Sequence, residues 1–350
     1  MGLKSVISYG FLILPAAVTI GVLLGLQTYR ESQGLSGPFT SNKVETNTYC
    51  QLAFGITPDT GGQQYTCESH CQKIIAFVLF LAAIQAHVTQ HGAQWTDVSG
   101  VPELVIFWTV NPNQWGVTED IAGSALCMNV TTFANGSYPT NTTAPAWSIT
   151  WQFPQGSDTQ PVHAFPNIQI DRTDIFPIEI SSVSAVNFEA EWAYGVGETL
   201  PNTTNIADVT AAGLAANVAI DMFIDSDPNA ATSTVDAKYE VMIWLADFGA
   251  ATQPIGLADG AVKTQDINGT TFSLYFGTNS LSQKVLTWVA SGTVQNINAD
   301  FGPLLQGLTG IGGPATSDYL GYMAFGSETL YSSSNVTFYN PTLSMAVVPK

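Results

Sequence analysis

With 45% hydrophobic and only 10% charged residues, the 350-residue chain carries enough apolar material for one large domain or two smaller ones, which excludes disorder of the whole. Lys and Arg number 9 against 27 Asp and Glu, a formal charge of -18, so a nucleic-acid backbone would be repelled and partners are expected to be neutral or cationic. The acidic residues are scattered among Thr, Ser, Asn and Gly, which suits a secreted β-rich protein and a neutral polymer such as polysaccharide.

From Val6 to Leu26 the chain is nearly uncharged, with Lys4 before it and Arg30 after it. At roughly 20 residues it is long enough to span a bilayer, so residues 1–30 read as a signal peptide or a membrane anchor. No small-residue cleavage site stands near Gln27 to Arg30, which favours the anchor. A second apolar segment, "KIIAFVLFLAAIQAHV" at 73–88, has the layout of a secretory signal, although a short buried or membrane-associated helix or a fused gene would also account for it. Six Asn-X-Ser/Thr acceptors, Asn129, Asn135, Asn141, Asn202, Asn268 and Asn335, point the same way, to a chain that is secreted or tethered with its bulk outside the cell. Cys50, Cys67, Cys71 and Cys127 allow two disulfides in any of three pairings. "CESHC" at 67–71 lacks a second ligand pair, so no metal site is expected.

After residue 92 short alternating apolar runs follow one another between Gly, Pro, Asn, Asp and Ser, the pattern of an all-β sandwich or jelly roll. Strands are predicted at 102–110, 124–133, 147–154, 167–170, 184–194, 217–225, 238–246, 271–277, 284–290, 318–325 and 336–348. One short helix is predicted at 298–310, where Phe301, Leu304, Leu305 and Leu308 recur at helical spacing. Residues 93–350 therefore read as one domain, behind a front piece at 31–92.

Three carboxylates interrupt strands that are otherwise built for burial. In "KYEVMIWLA" the residues Tyr239, Val241, Ile243 and Leu245 share one face, and Glu240, Met242, Trp244 and Ala246 share the other. In "NVAIDMFID" Asp221 lies with Asn217, Ala219 and Phe223, opposite the apolar Val218, Ile220, Met222 and Ile224. Glu328 follows the strand "DYLGYMAF" at a Gly326-Ser327 step. Any one of these would ordinarily face water. An indole beside a carboxylate, however, is costly to leave in water without a ligand, and sugar rings present C–H faces that stack on aromatics. Trp95, Trp115, Trp151 and Trp192 supply further platforms or core.

Paired carboxyls suit glycoside hydrolysis: one attacks the anomeric carbon and the other, protonated, donates to the leaving oxygen. Asp221 beside Glu240 would hold a proton and orient the nucleophile, because two acids in contact resist ionising together. Glu189 and Glu191 are rivals on one strand, read as surface or subsite residues. A Ser/His/Asp triad has only His163 beyond the front piece and no Gly-X-Ser-X-Gly elbow. No dinucleotide or phosphate loop is present in the sequence.

At these residues the chain resembles glycoside hydrolase family 12, the retaining endo-β-1,4-glucanases and xyloglucan-specific endoglucanases. "YEVMIW" is similar to that family's nucleophile strand and "QPIG", with Pro254, follows it. "AQWTDVSG" and "NPNQWG" resemble strands carrying Trp95, Asn113 and Trp115. "VHAFPNIQI" resembles a stretch ending in Asn167, "AIDMF" the strand of the assisting aspartate, and "YLGYMAFGSET" the acid/base strand. The resemblance implies a two-sheet jelly roll of concanavalin-like type. It makes Glu240 the nucleophile, Glu328 the acid/base and Asp221 the assistant, with Trp95, Asn113, Trp115, Asn167, Met242, Trp244 and Pro254 binding β-glucan. It implies a monomer without cofactor, and double displacement with the two glutamic carboxyls about 5 to 5.5 Å apart. The acid/base stretch reads "GSETLY" where the family has Gly-Thr-Glu-Pro-Phe. His91 and Gly92 stand where the family has a cysteine, leaving Cys127 to pair with the front piece or remain free. A non-catalytic glucan-binding protein with a degenerate cleft is the alternative, and a purely structural surface protein would leave the tryptophans unexplained.

Overall fold

Period-two alternation resolves into sixteen strands in the computed structural model, which describes residues 44–50, 107–117, 124–133, 138–140, 142–157 and 161–350. In chain order they are β1 (Val44–Cys50), β2 (Phe107–Asn111), β3 (Ala125–Phe133), β4 (Ala146–Gln152), β5 (Asn167–Asp171) and β6 (Ile178–Glu179). Then come β7 (Val183–Val196), β8 (Ala215–Asp225), β9 (Tyr239–Phe248), β10 (Lys263–Ile267), β11 (Thr270–Thr278) and β12 (Lys284–Ala290). The last are β13 (Asn296–Asp300), β14 (Tyr319–Gly326), β15 (Thr329–Tyr331) and β16 (Val336–Pro349). Two compact units divide the chain, residues 1–46 with 131–139 and residues 47–130 with 140–350. The second carries the site described below. The N-terminal hydrophobic segment, the segment at 73–88 and Trp95 lie outside the described residues. No described helix is long and apolar enough to cross a membrane.

Two sheets form, matching the predicted two-sheet jelly roll. One runs β1-β3-β4-β16-β7-β13; the other runs β10-β11-β12-β9-β8-β14-β5-β2, with β15 paired to β8 and β6 to β14. Their facing sides make one core. Trp147, Trp151, Phe188, Tyr194 and Phe338 enter it from the six-stranded sheet, and Ile220, Ile243, Phe272, Trp288 and Phe325 from the other; each is at most 1% exposed. Burying each such side chain contributes roughly 1.5–3 kcal/mol, which explains why the long alternating strands hold their register. On β7 the outward Ser184, Asn187, Glu189 and Glu191 are exposed, so the six-stranded sheet is wet on its far side. The ten-stranded sheet differs: β8 is buried on both faces from Ala215 to Ile224.

Several expectations change. The predicted helix at 298–310 starts later, at Gly302–Gln306, because residues 296–300 alternate and pair with β7 as an edge strand. Its Phe301, Leu304, Leu305 and Leu308 are nonetheless all buried, as their spacing requires. Strands β1, β6, β10, β13 and β15 escape prediction: β6 and β15 have too few residues to show a period, and β1, β10 and β13 are written in mostly polar residues. So do two short helices at Ile206–Ala211 and Pro228–Ala231, each capped by an Asx side chain. Cys127 pairs with Cys50, one of the two outcomes left open for it.

Candidate active site

The predicted faces of β8 and β9 hold over the residues that matter. Tyr239, Val241, Ile243 and Leu245 join the sandwich core with Val218, Ile220, Met222 and Ile224. The other face carries two clusters: Ala219, Met242 and Trp244 with Val289 against them, and Phe165, Phe223, Ala237, Tyr322 and Ala324 with Trp115 against them. Ala246 departs from its predicted side. The register slips between Val218 and Ala219, opposite Ala246 and Trp244, and the extra residue turns Ala246 and Phe248 inward.

Register places the carboxylates on that second face. β8 is central, with β9 on one side and β14 on the other. Asp221 lies opposite Met242 of β9 and Ala324 of β14, and Glu240 lies opposite Phe223 of β8. Glu328 leaves the end of β14 next to Asn217 at the start of β8, where the main-chain N–H of Asn217 donates to the Glu328 carbonyl at 3.2 Å.

Each glutamate is held by an asparagine whose orientation is fixed from behind. The Asn217 Oδ1 accepts from the Glu328 main-chain N–H at 2.9 Å, so its Nδ2 must face outward, and it donates to Glu328 Oε2. Asn279 Oδ1 accepts from the main-chain N–H groups of Leu281 and Gln283, both at 3.0 Å. Its Nδ2 then donates to Glu240 Oε2 at 3.0 Å and to Gln283 Oε1 at 2.8 Å. Gln283 is itself anchored by donating to the carbonyls of Ala237 and Thr234. The β11–β12 loop reaches Glu240 because β12 runs parallel to β9, with Lys284 beside Tyr239 and Val285 beside Glu240.

Burial governs the charge state. Desolvation pushes Glu240 up to about 7 against the opposing pull of Asn279. Desolvation, followed by repulsion from Glu240, pushes Glu328 up to about 8 against the pull of Asn217. Asp221 is raised well above the usual carboxylate range, first by burial and then by Glu240 and Glu328, and its Oδ1 has no hydrogen-bond partner. Both glutamates are thus raised toward neutral pH, and their mutual repulsion opposes ionising them together. Near neutral pH the pair is one base and one acid, the division of labour that glycoside hydrolysis needs.

A family model for "Glycosyl hydrolase family 12" matches residues 106–347, a stretch that contains all three carboxylates. The chain belongs to glycosyl hydrolase family 12. Among similar proteins of this family, the xyloglucan-specific endo-beta-1,4-glucanase A of Emericella nidulans is 29% identical over 278 residues, 79% of this chain and 99% of that protein. The inactive glycoside hydrolase XLP1 of Phytophthora nicotianae is 33% identical over 150 residues, 43% of this chain and 60% of that protein. Among solved structures, the family 12 endoglucanase 3 of Trichoderma harzianum matches with a TM-score of 0.53 and 25% identity, over 73% of this chain and 100% of that one.

In this family 12 chain the other named residues divide. Trp115 is half-buried, packed against the cluster of Phe165, Phe223 and Tyr322. Its loop is held by Phe165 N–H donating to Asn113 O at 2.9 Å and Gly116 N–H to His163 O at 3.0 Å. Asn113 adopts a left-handed φ of 42° and its buried Oδ1 is without a hydrogen-bond partner. Met242 and Trp244 are only 5% and 4% exposed, so they form the floor under the carboxylates rather than the open stacking platform expected of them. Asn167 is fully buried, donating to Phe165 O at 2.7 Å and accepting from Asn111 at 3.1 Å, so it braces Asn111 instead of meeting a ligand. Pro254 is buried in the loop after β9, its carbonyl accepting from the Leu257 N–H at 3.1 Å.

Trp151 and Trp192 belong to the sandwich core. Glu189 and Glu191 point to solvent from β7, on the other sheet, which removes the subsite reading. His163 is buried, stacked on Phe153 and bonded to Pro154 O, and burial lowers its pKa; its role is structural. Asn279 and Gln283 escaped the sequence reading, since "GTNSLSQK" looks like a polar turn and only the parallel β9–β12 pairing reveals its target.

Proposed function

We propose that the chain is a retaining endo-β-1,4-glucanase in which Glu240 is the nucleophile, Glu328 the acid/base and Asp221 the assistant. The observation that carries this is the placement of three half- or fully buried carboxyls on one sheet face, Asp221 on β8 between Glu240 on β9 and Glu328 after β14, with each glutamate gripped by an asparagine. Glu328 would give its proton to the glycosidic oxygen as that bond breaks, while a Glu240 carboxylate oxygen bonds to the anomeric carbon. Glu328, now ionised, would take a proton from water; the resulting attack releases Glu240 and restores the starting anomer. Asn279 holds the Glu240 carboxyl in place, and Asp221, kept protonated beside it, would leave the nucleophile the one negative charge of the two.

β-1,4-Glucan is the proposed partner, with xyloglucan foremost because the similar Emericella nidulans protein is named for it. Working as a monomer outside the cell, tethered through residues 6–26, is part of the same proposal and is supported by the exposed sequons Asn202 and Asn268.

The test is Glu240→Gln in the full chain, assayed on xyloglucan, cellulose and mixed-linkage glucan, with product anomers followed by NMR. The variant should lose at least about 10³-fold in turnover while still binding glucan. Sustained release of reducing ends, or inverted product from the wild type, would defeat the proposal. The named inactive relative gives the second reading, a glucan-binding protein without turnover, which predicts binding by the wild type and no product at all.

A further inference from the structure

Behind Glu328, four fully buried groups form a chain that crosses the sandwich. Trp151 Nε1–H, on β4, donates to Tyr194 Oη at 3.3 Å. Tyr194, on β7, lies 2.6 Å from Ser327 Oγ. Ser327 Oγ–H donates to the main-chain carbonyl of Asn217 at 2.5 Å. Because Ser327 spends its only proton on Asn217, it must accept from Tyr194, and Tyr194 in turn accepts from the indole, which can only donate. The direction of every bond is thereby fixed, from the six-stranded sheet to the residue whose side chain grips Glu328 at both its main-chain N–H and its carboxyl.

The core does not need this hydroxyl. The Tyr194 ring packs on Phe248 at 5.6 Å and on Phe338 at 5.2 Å, contacts a phenylalanine would keep. A buried hydroxyl is costly unless it is used. Burial pushes the phenol well up, so it stays a donor at every working pH.

We propose that Tyr194 is a positioning residue: acting through Ser327 and Asn217, it fixes where the Glu328 carboxyl stands for proton delivery to the leaving group. This rests on the reading of Glu328 as the acid/base and adds the device that aims it. The acid step is then the one that suffers when the chain is cut. A poor leaving group, such as the sugar hydroxyl of a natural glucan, depends on that proton, whereas a dinitrophenolate leaves without it.

The experiment compares wild type, Tyr194→Phe, Ser327→Ala, Ser327→Thr and the double variant Tyr194→Phe/Ser327→Ala in the full chain. With an unsubstituted glucan oligosaccharide, kcat should fall about ten-fold in Tyr194→Phe and Ser327→Ala with KM unchanged. The double variant should be no worse than either single one, and Ser327→Thr should recover the wild-type rate. With a dinitrophenyl glycoside kcat/KM, which reports the leaving-group step without the later attack of water, should stay within about two-fold of wild type in the same variants. Loosening the Asn217 donor should also raise the Glu328 titration, read by ¹³C NMR of labelled glutamate carboxyls, by about half a unit. Equal losses on both substrates, additive losses in the double variant, or an unmoved Glu328 titration would overturn the proposal. Should the wild type cleave neither substrate, the catalytic reading falls, and the NMR titration alone still decides whether Tyr194 acts on Glu328. If Tyr194→Phe does not fold, the Ser327 pair carries the same comparison.

Discussion

Removing the Asn279 amide should move the acid limb of the pH–rate profile upward. Its Nδ2 is the recorded donor to the Glu240 side chain, at 3.0 Å, and it pulls against burial, which already pushes that carboxyl to about 7. A hydrogen bond to a charged group is worth roughly 1.5–3 kcal/mol, and one pKa unit corresponds to about 1.4 kcal/mol. Full loss would therefore raise Glu240 by about one to two units; because Glu240 is half-buried and water can replace part of the bond, about one unit is expected in Asn279→Ala. The sign is fixed by which form the bond favours. An N–H donor favours the carboxylate, so its loss favours the proton, and a nucleophile must be ionised. At pH 6 kcat/KM should then fall about ten-fold, whereas the alkaline limb, set by Glu328, stays in place. Initial rates of reducing-end release from pH 4 to 9 measure both limbs. A uniform fall in rate with an unmoved acid limb would mean that Asn279 shapes the binding surface and does not tune Glu240.

Three further outcomes follow from the same structure. Folding raises Glu328 from 4.5 to about 8, so this group's stabilising contribution is complete below its unfolded value and is lost as pH rises through its folded one; Glu328→Gln removes the charge that causes the loss. In thermal melts the variant's Tm advantage should be small at pH 5 and grow to about 3–6 °C at pH 8, and a constant difference would contradict the assigned shift. A Cβ at Gly326 would come within 2.1 Å of the Pro166 carbonyl, where β14 presses on β5, so Gly326→Ala should lower stability by about 1–3 kcal/mol in urea unfolding and displace the Ser327-Glu328 step with it. Replacing Cys50 and Cys127 together by Ser opens a loop of 77 residues and should cost about 2–4 kcal/mol in the same assay, while rates below the melting temperature stay within about two-fold.

Much of this was legible before any coordinates. Glu240 and Asp221 sit on strands whose alternation is strong enough to name the face of each side chain, and both lie where that alternation puts them. The reading failed where period two carries no information. Met242, Trp244 and Phe223 are apolar on the non-core face, and an alternating pattern cannot tell a walled floor from an open platform. Trp244 thus reads as exposed although it is 4% accessible. Ala246 fails for a different reason, since a single bulged residue reverses every face beyond it and leaves no mark in the residues themselves. Asn279 is invisible because its function depends on a parallel pairing between strands separated by β10 and β11. Asn167 is the opposite case: the resemblance implies ligand contact, yet its amide is consumed by Phe165 and Asn111.

These failures share a cause that also explains the site's chemistry. A sheet that is apolar on both faces gives up the cheap solution of turning its second side to water, as β7 does with Glu189 and Glu191. Met242, Trp244, Phe223 and Tyr322 on the second face withdraw solvent from the three carboxyls set among them. Withdrawn solvent is what raises Glu240 and Glu328 from 4.5 to about 7 and about 8. Without it both would be ionised at neutral pH and neither could act as an acid. Repulsion between the two acts on both alike and opposes ionising them together, so near neutral pH one of the pair keeps a proton. The stability lost in burying three carboxyls is offset by the aromatic core on the other side of the same strands, where Trp151, Tyr194, Phe325 and Phe338 are fully enclosed. One sheet therefore does two jobs, one on each face, and the proposed chain through Tyr194 is where the opposing sheet reaches across the core toward the second.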